Sequence, residues 1–377
     1  MTTDIRLEVS VDDQTLTMWR GETPLAVYPV STAEKGVGFT DGSLRTPTGR
    51  FRVCGKIGAG LPLGTIFRAR QPQGTWRPGE MTDEDLILTR IFLLDGLDPD
   101  NANTLQRHIY LHGTNREDLI GTPASHGCVR LTNHDIRELF EQVPEGAPLV
   151  IHPPARPRGK LFFIDCDSTL SAIEGIDELA RARGDDIFAE VAALTDAAMN
   201  GEIPIESVFG RRMELIRPDA AACYTVAALY REHLVPGMAA LIDALHVRGW
   251  LPVILSGGFA PLIAPLAADL GIRHIEAVPL TIDADGTYAG YGADYPTTRA
   301  GGKNVIIREW RAAMLPERVV MMGDGASDLE TKPDVDLFIG FGGVVAREKV
   351  RDGADIWLAE MPAPTLLLDM LEAGSRT

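Results

Sequence analysis

Cysteine is scarce in this chain of 377 residues, with four in all, at 54, 128, 166 and 223, and no two in a CxxC spacing. That excludes a disulfide framework and a cysteine-rich zinc site. Aromatic residues make up only 6%, and no uninterrupted apolar stretch approaches the ~20 residues needed to span a bilayer. Basic residues are outnumbered in both halves, 15 against 20 acids over residues 1–152 and 21 against 33 over 153–377. Neither half can hold a polyanion by bulk charge, so nucleic acid is not an expected partner. A small phosphate ester is still compatible, because one bound cation overrides the global field locally. The opening MTTDIRLEVSVDDQ has acids where a leader has a basic stretch and an apolar run. No signal peptide, no membrane attachment and a cytoplasmic location are therefore expected.

The length exceeds what one hydrophobic core usually serves, so two domains are expected. Hydrophobic residues at 45% and charged residues at 24% supply ample core for both. Period-two alternation at Leu7, Val9 and Val11, then at Leu16 and Met18, predicts strands, as do TPTGRFRV (46–53), RHIYLHG (107–113) and APLVIHP (147–153). NHDIRELFEQV (133–143) reads as a helix. The first domain, residues 1–152, is thus expected to be mainly β. PPARPRG at 153–159 is a stiff proline-rich linker. Residues 160–377 then alternate helical stretches with short all-apolar runs, KLFFID, LPVILS, RVVMMG, DLFIG and DIWL. Such runs predict a Rossmann-like α/β domain with a parallel sheet covered on both faces. The helical stretch at about 175–235 falls between the first two runs and is expected to cap the sheet, and LTIDADGTYAGY reads as a hairpin around Asp-Gly.

Three of the apolar runs end in polar residues, Asp165, Ser256 and Asp324. In an open parallel sheet those ends face one crevice. Asp165, Asp167 and Asp324 offer hard oxygen ligands for Mg²⁺. A carboxylate there can attack phosphorus while a neighbouring acid protonates the leaving oxygen. Lys303, Ser256, Gly257 and Gly258 can hold the phosphoryl oxygens. A purely structural reading takes Asp324 as a helix cap and Arg212 as part of a solvated helix face. Cys166, between two inward aspartates, is expected to pack away from the site, and Cys54 and Cys223 to be small core residues.

The order DCDST, SGG, GGKN and GDGASD resembles the haloacid dehalogenase superfamily. DCDSTLSAIEGIDELA, MNGEIPIESVFGRRMELIRP, ILSGGF, TYAGY, MMGDGASDLE and FIGFGG extend the resemblance to its phosphoserine phosphatases. The resemblance implies Mg²⁺-dependent hydrolysis of O-phospho-L-serine through an aspartyl phosphate, an activity of serine biosynthesis. It makes Asp165 the nucleophile, Asp167 the acid and base, and Asp324 a further metal ligand, with Asp328 positioning the metal's waters. Ser256 and Lys303 hold the phosphate. Glu174 and Arg212 match the residues that take the substrate's ammonium and carboxylate, and Met199 and Ile205 form an apolar wall. Ser327 stands where many relatives have threonine.

In the first domain, HGTNREDLIGTPASHGCVRL (112–131) gathers His112, His126 and Cys128. An imidazole can deprotonate a thiol, and amides around glycine can stabilise an oxyanion. A helix after Cys128 is expected to lend its N-terminal dipole to the thiolate. The segment resembles the L,D-transpeptidase catalytic domain, which implies Cys128 as nucleophile, His112 as base, and the Gly127 and Cys128 amides as oxyanion donors. His126 and Arg130 shape the pocket for a peptidoglycan-type peptide. His108, His134 and His152 read as ordinary histidines. Peptidoglycan lies outside the membrane and phosphoserine inside the cell, so the two resemblances point to different compartments. Two alternatives remain. One has the acyltransferase as main activity, with the second half acting on another phosphate monoester; the other makes the first domain a peptide-binding or regulatory module.

Overall fold

The computed structural model of the protein describes residues 5–80, 82, 84–157, 159–199, 202–203 and 205–373. They form two compact units, residues 1–157 with 309–315, and residues 158–308 with 316–377.

The first unit is built on a ten-stranded sheet. Its opening strand, Ile5–Ser10, buries Ile5, Leu7 and Val9 and exposes more of the residues between them, as its alternation requires. It pairs antiparallel with Thr15–Arg20 and parallel with Pro148–His152. Pro148–His152 pairs antiparallel with Gly49–Ile57, which pairs in turn with the long strand Ile87–Gly96. The helix Asn133–Gln142 starts on a Thr132 cap, whose side chain accepts the Asp135 N–H, and buries Ile136, Leu139 and Phe140. Two short strands position the chemistry. Tyr110–Thr114 leans on Ile87–Gly96 and runs parallel to Val129–Leu131, which sets His112 opposite Arg130. Cys54 is exposed, contrary to the expectation of a core residue. Phe51 and Val53 face inward on Gly49–Ile57, so Arg50, Arg52 and Cys54 face out.

The second unit has a six-stranded, all-parallel sheet in the order His274–Val278, Trp250–Phe259, Lys160–Ile164, Arg318–Gly323, Leu337–Phe341, Ile356–Leu358. Phe162, Phe163, Ile164 and Val253–Leu255 are fully buried, because helices cover both faces. Between the first two strands in sequence run Gly175–Arg181, Asp185–Met199, Ile205–Ile216 and Ala220–Glu232, which pack on one another, and then Met238–Val247, which packs on Trp250–Phe259. Leu280–Ile282 and Tyr288–Tyr291 form the hairpin. Cys166 is buried in the core and Cys223 packs half-buried against it. The fold class is as the patterning predicts: a mainly β unit followed by a parallel α/β unit with added helices.

Candidate active sites

In the second unit, Asp165 and Asp324 directly follow the strands Lys160–Ile164 and Arg318–Gly323, and Ser256 lies within the neighbouring Trp250–Phe259, just past the end of its pairing with Lys160–Ile164. Asp165, Asp324 and Asp328 each bring a carboxylate oxygen within 4.8 Å of the others, all three buried. The close approach needs glycine at 323, since a Cβ there would lie 2.2 Å from Asp328 Cγ. Lys303, near the start of the helix Gly302–Met314, donates to Asp165 Oδ1 at 2.8 Å and to Asp328 Oδ1 at 2.5 Å. Asp324 accepts from Thr169 Oγ1 at 3.2 Å and from Arg347 Nε at 3.3 Å.

Burial, then the charge of Asp328, pushes Asp165 well above the usual carboxylate range and Asp324 up to about 7. Burial depresses Lys303, but Asp165 and Asp328 outweigh it and hold the ammonium charged. Three buried carboxylates in mutual repulsion make an all-oxygen donor set suited to a hard divalent cation.

Asp167 is turned to a different set of partners. Its Oδ1 accepts from the Gly175 N–H and the Tyr230 hydroxyl, both at 2.7 Å, and its Oδ2 from Ser256 Oγ at 3.0 Å. The Ser256 hydroxyl in turn accepts from the Gly258 N–H at 2.8 Å. Ser168 sits at φ +53°, a left-handed conformation costly for serine, and from it donates to Glu174 Oε1 at 2.7 Å. Burial and the Asp167 charge raise the Glu174 carboxyl. Glu174, Thr195, Arg212, Gly257 and Ser327 line one pocket with Asp165, Asp167 and Lys303. Arg212, only 4% exposed, donates from Nη1 to Thr195 Oγ1 at 3.1 Å. The side chains of Met199 and Ile205 lie outside the described residues.

In the first unit, Cys128 stands immediately before the strand Val129–Leu131, and the helix starts only at Asn133. The expected helix dipole therefore does not act on the thiol. VRL continues as a strand because Val129 and Leu131 fill the core beside Leu111. Cys128 Sγ accepts from the Tyr110 N–H and donates to His108 O, both at 3.4 Å. The imidazole of His112 is buried, with Nδ1 2.7 Å from Gly113 O. A carbonyl only accepts, so Nδ1 carries the proton and Nε2 is the basic nitrogen. Burial pulls His112 down to about 4 and pushes Cys128 up to about 11, so the resting pair is thiol and neutral imidazole. The Gly127 N–H donates to Ser125 Oγ at 3.2 Å. Asp85 joins the two remaining motif residues, pairing with Arg130 and lying 3.1 Å from His126 Nδ1. His108 Nδ1 contacts the Tyr110 hydroxyl at 3.1 Å and Arg70 at 3.2 Å.

Comparison with known proteins assigns both units. The family model "L,D-transpeptidase catalytic domain" matches residues 4–151, and "haloacid dehalogenase-like hydrolase" matches residues 162–331. The phosphoserine phosphatase of Mus musculus is 36% identical over 198 residues, which is 52% of this chain and 87% of that protein. The chain belongs to the phosphoserine phosphatase family. The Homo sapiens phosphoserine phosphatase is 34% identical over 209 residues, 53% of this chain and 92% of its own. A phosphoserine phosphohydrolase-like protein from Francisella tularensis shares the fold, with a TM-score of 0.50 at 23% identity over 56% of this chain and 99% of that one. This phosphatase family member is thus a hydrolase of phosphate monoesters with an L,D-transpeptidase domain ahead of it.

Several residues of the two sites carry no signal in the sequence. Tyr230 and Thr195 sit in ordinary helical patterns, and Arg347 lies in the unremarked loop before Glu348–Gly353. Asp85, in the acidic stretch TDEDL, looks like a solvated loop acid.

Proposed function

We propose that residues 160–377 hydrolyse O-phospho-L-serine to L-serine and phosphate, using Asp165 as nucleophile. The observation that supports this reading best is the buried Lys303 bonded to both Asp165 and Asp328, in the lining of a pocket that Glu174 and Arg212 also line. An Asp165 oxygen attacks phosphorus, the P–O bond to serine breaks, and Asp167 protonates the leaving alkoxide. Asp167 then takes a proton from the water that attacks the aspartyl phosphate, releasing phosphate and regenerating Asp165. Gly175, Tyr230 and Ser256 hold the Asp167 carboxylate in place for both transfers. Asp165 and Asp324, with Asp167 or Asp328, would hold Mg²⁺, whose charge offsets that of the phosphate and the clustered acids. Lys303, Ser256 and the Gly257 amide bind phosphoryl oxygens. Glu174 receives the substrate ammonium, Arg212 its carboxylate, and Met199 adds an apolar wall. Phosphate release from O-phospho-L-serine, with and without Mg²⁺ and beside p-nitrophenyl phosphate, tests the reading. Turnover of the unselective ester alone would remove Glu174 and Arg212 from the account.

For residues 1–152, joined through 153–159, we propose cysteine-dependent acyl transfer on a peptidoglycan-type peptide. The supporting observation is the His112 tautomer, fixed by Gly113 O with Nε2 left basic, on the strand beside Cys128. His112 takes the Cys128 proton as sulfur attacks the peptide carbonyl; the C–N bond then breaks as the imidazolium protonates the leaving amine, and an acceptor amine displaces sulfur from the thioester, its proton returning to Cys128 through His112. The Cys128 amide, with that of Gly127 once released from Ser125, donates to the oxyanion, and His126 and Arg130 frame the peptide. Loss of β-lactam labelling in Cys128→Ser, with retention in His112→Gln, would contradict the assigned base.

A further inference from the structure

The guanidinium of Arg212 has three edges, and the structure accounts for only part of it. One face lies over Phe209, with Cζ 5.2 Å from the ring centroid. Nη1 donates to Thr195 Oγ1 at 3.1 Å. Nε is buried without a hydrogen-bond partner, and no described residue accepts from Nη2. The fork that carboxylates prefer, formed by Nε and Nη2, is therefore the edge left for a ligand, in a pocket that Arg212 and Thr195 line together.

What sets that orientation is the direction of one hydroxyl proton. Thr195 Oγ1 has a single proton and two acceptors in reach, Asp177 Oδ1 at 2.6 Å and Val191 O at 3.1 Å. The shorter, charged acceptor takes it, since a hydrogen bond to an ionised partner is the stronger one. With the proton committed to Asp177, the oxygen's lone pairs are available to Arg212 Nη1. Asp177 and Thr195 come from different helices, Gly175–Arg181 and Asp185–Met199, and Arg212 from a third, Ile205–Ile216. A surface ion pair needs no such three-helix convergence, and Thr195 is only 3% exposed.

We propose that Asp177 and Thr195 are positioning residues that hold Arg212 by Nη1, so that its Nε–Nη2 edge reads the substrate carboxylate side-on. The proposal rests on the reading above, in which Arg212 takes the carboxylate of phosphoserine. Asp177 lies outside the pocket lining and Thr195 lines it beside Arg212, and both act through the guanidinium. Losing the Nη1 anchor lets the side chain adopt other rotamers, so a ligand must then bear the cost of reordering it. One charge-assisted hydrogen bond corresponds to about a tenfold change in affinity.

The test compares O-phospho-L-serine with phosphoethanolamine, which keeps phosphate and ammonium and lacks the carboxylate, on the full-length Mg²⁺-loaded protein. Thr195→Val should raise KM for phosphoserine about tenfold with kcat little changed, and leave kcat/KM for phosphoethanolamine within about twofold. Asp177→Val should give the same pattern, and Thr195→Ser should restore wild-type values. Equal losses on both substrates, or no loss on phosphoserine, would overturn the positioning role. Arg212→Ala separates the two levels of the argument. If it abolishes the preference for phosphoserine while Thr195→Val leaves that preference undiminished, only the positioning role fails. If Arg212→Ala retains the preference, the carboxylate reading fails and takes the positioning role with it.

Discussion

Lys303→Met is the perturbation that bears most directly on the electrostatics of the phosphatase centre. Methionine keeps an unbranched apolar stem one atom shorter than the lysine side chain, so the change removes the ammonium group and little else. That charge is buried, 5% exposed, between two carboxylates also buried, Asp165 at 2% and Asp328 at 0%. Removing one partner of a buried ion pair typically costs about 3–5 kcal/mol, because the partner is left desolvated and unpaired. At ~2–4 °C per kcal/mol for a domain of this size, metal-free protein should melt roughly 6 to 20 °C lower. The loss should shrink as pH falls. Asp165 and Asp324 already have raised pKa values in the folded protein. A carboxyl whose folded pKa exceeds its unfolded one binds more protons when folded, so stability rises as pH drops through the folded value. For Asp324 that window centres on about 7. Mg²⁺ should recover more stability in the variant than in the wild type, since the cluster then lacks its own cation. Thermal melts in EDTA and in Mg²⁺, at pH 6 and pH 8, provide the assay. A melting point within about 2 °C of wild type at pH 8 in EDTA would refute this picture of uncompensated carboxylates.

Three further outcomes follow from named contacts. Gly175→Ala would place a Cβ 1.9 Å from the Tyr230 hydroxyl, which must move and give up Asp167; kcat should fall at least tenfold with KM for phosphoserine changed less, and an unaltered kcat would deny Tyr230 its part in orienting Asp167. In a Cys54→Ser background, iodoacetamide labelling of Cys128 should accelerate steadily from pH 7 to 10, because burial holds the thiol at about 11 and His112 at about 4; a plateau beginning near pH 6 would show a resting thiolate–imidazolium pair instead. Asp85→Asn leaves buried Arg130 without its counter-ion and should cost about 1–3 kcal/mol at pH 7. Asp85 has a depressed folded pKa, so its contribution is present above the ordinary carboxylate value and lost as pH falls through the lower one; denaturant melts of the two proteins should therefore converge below pH 4, and a constant gap would point to packing.

Residues whose position follows from strand ends were legible in advance. Asp165, Ser256 and Asp324 terminate apolar runs long enough to be strands, and the parallel sheet gathers such ends without further information. Lys303 was legible from its place in the order of motifs, while the helix Gly302–Met314 that carries it was not. Contacts made between helices were not legible: Asp177, Thr195 and Arg212 lie 18 and 17 residues apart, and each alone looks like part of a helix surface. Asp85 and Tyr230 are illegible for the same reason, since their partners, Arg130 and Asp167, are distant in sequence. The two corrected expectations came from local readings. Cys54 was assigned by residue type although its neighbours' alternation turns it outward. The helix expected to act on Cys128 begins only after VRL has finished pairing with Tyr110–Thr114.

Hydrolysis of O-phospho-L-serine, as proposed above, requires the carboxylate of Asp165 to carry the phosphoryl group. The decisive measurement is phosphate release from that substrate by Asp165→Asn beside the wild type, in Mg²⁺, with thermal melts confirming that the variant is folded. Rapid release is expected from the wild type, and a loss of at least about a thousandfold in the folded variant. Turnover by Asp165→Asn at a rate near that of the wild type would contradict it.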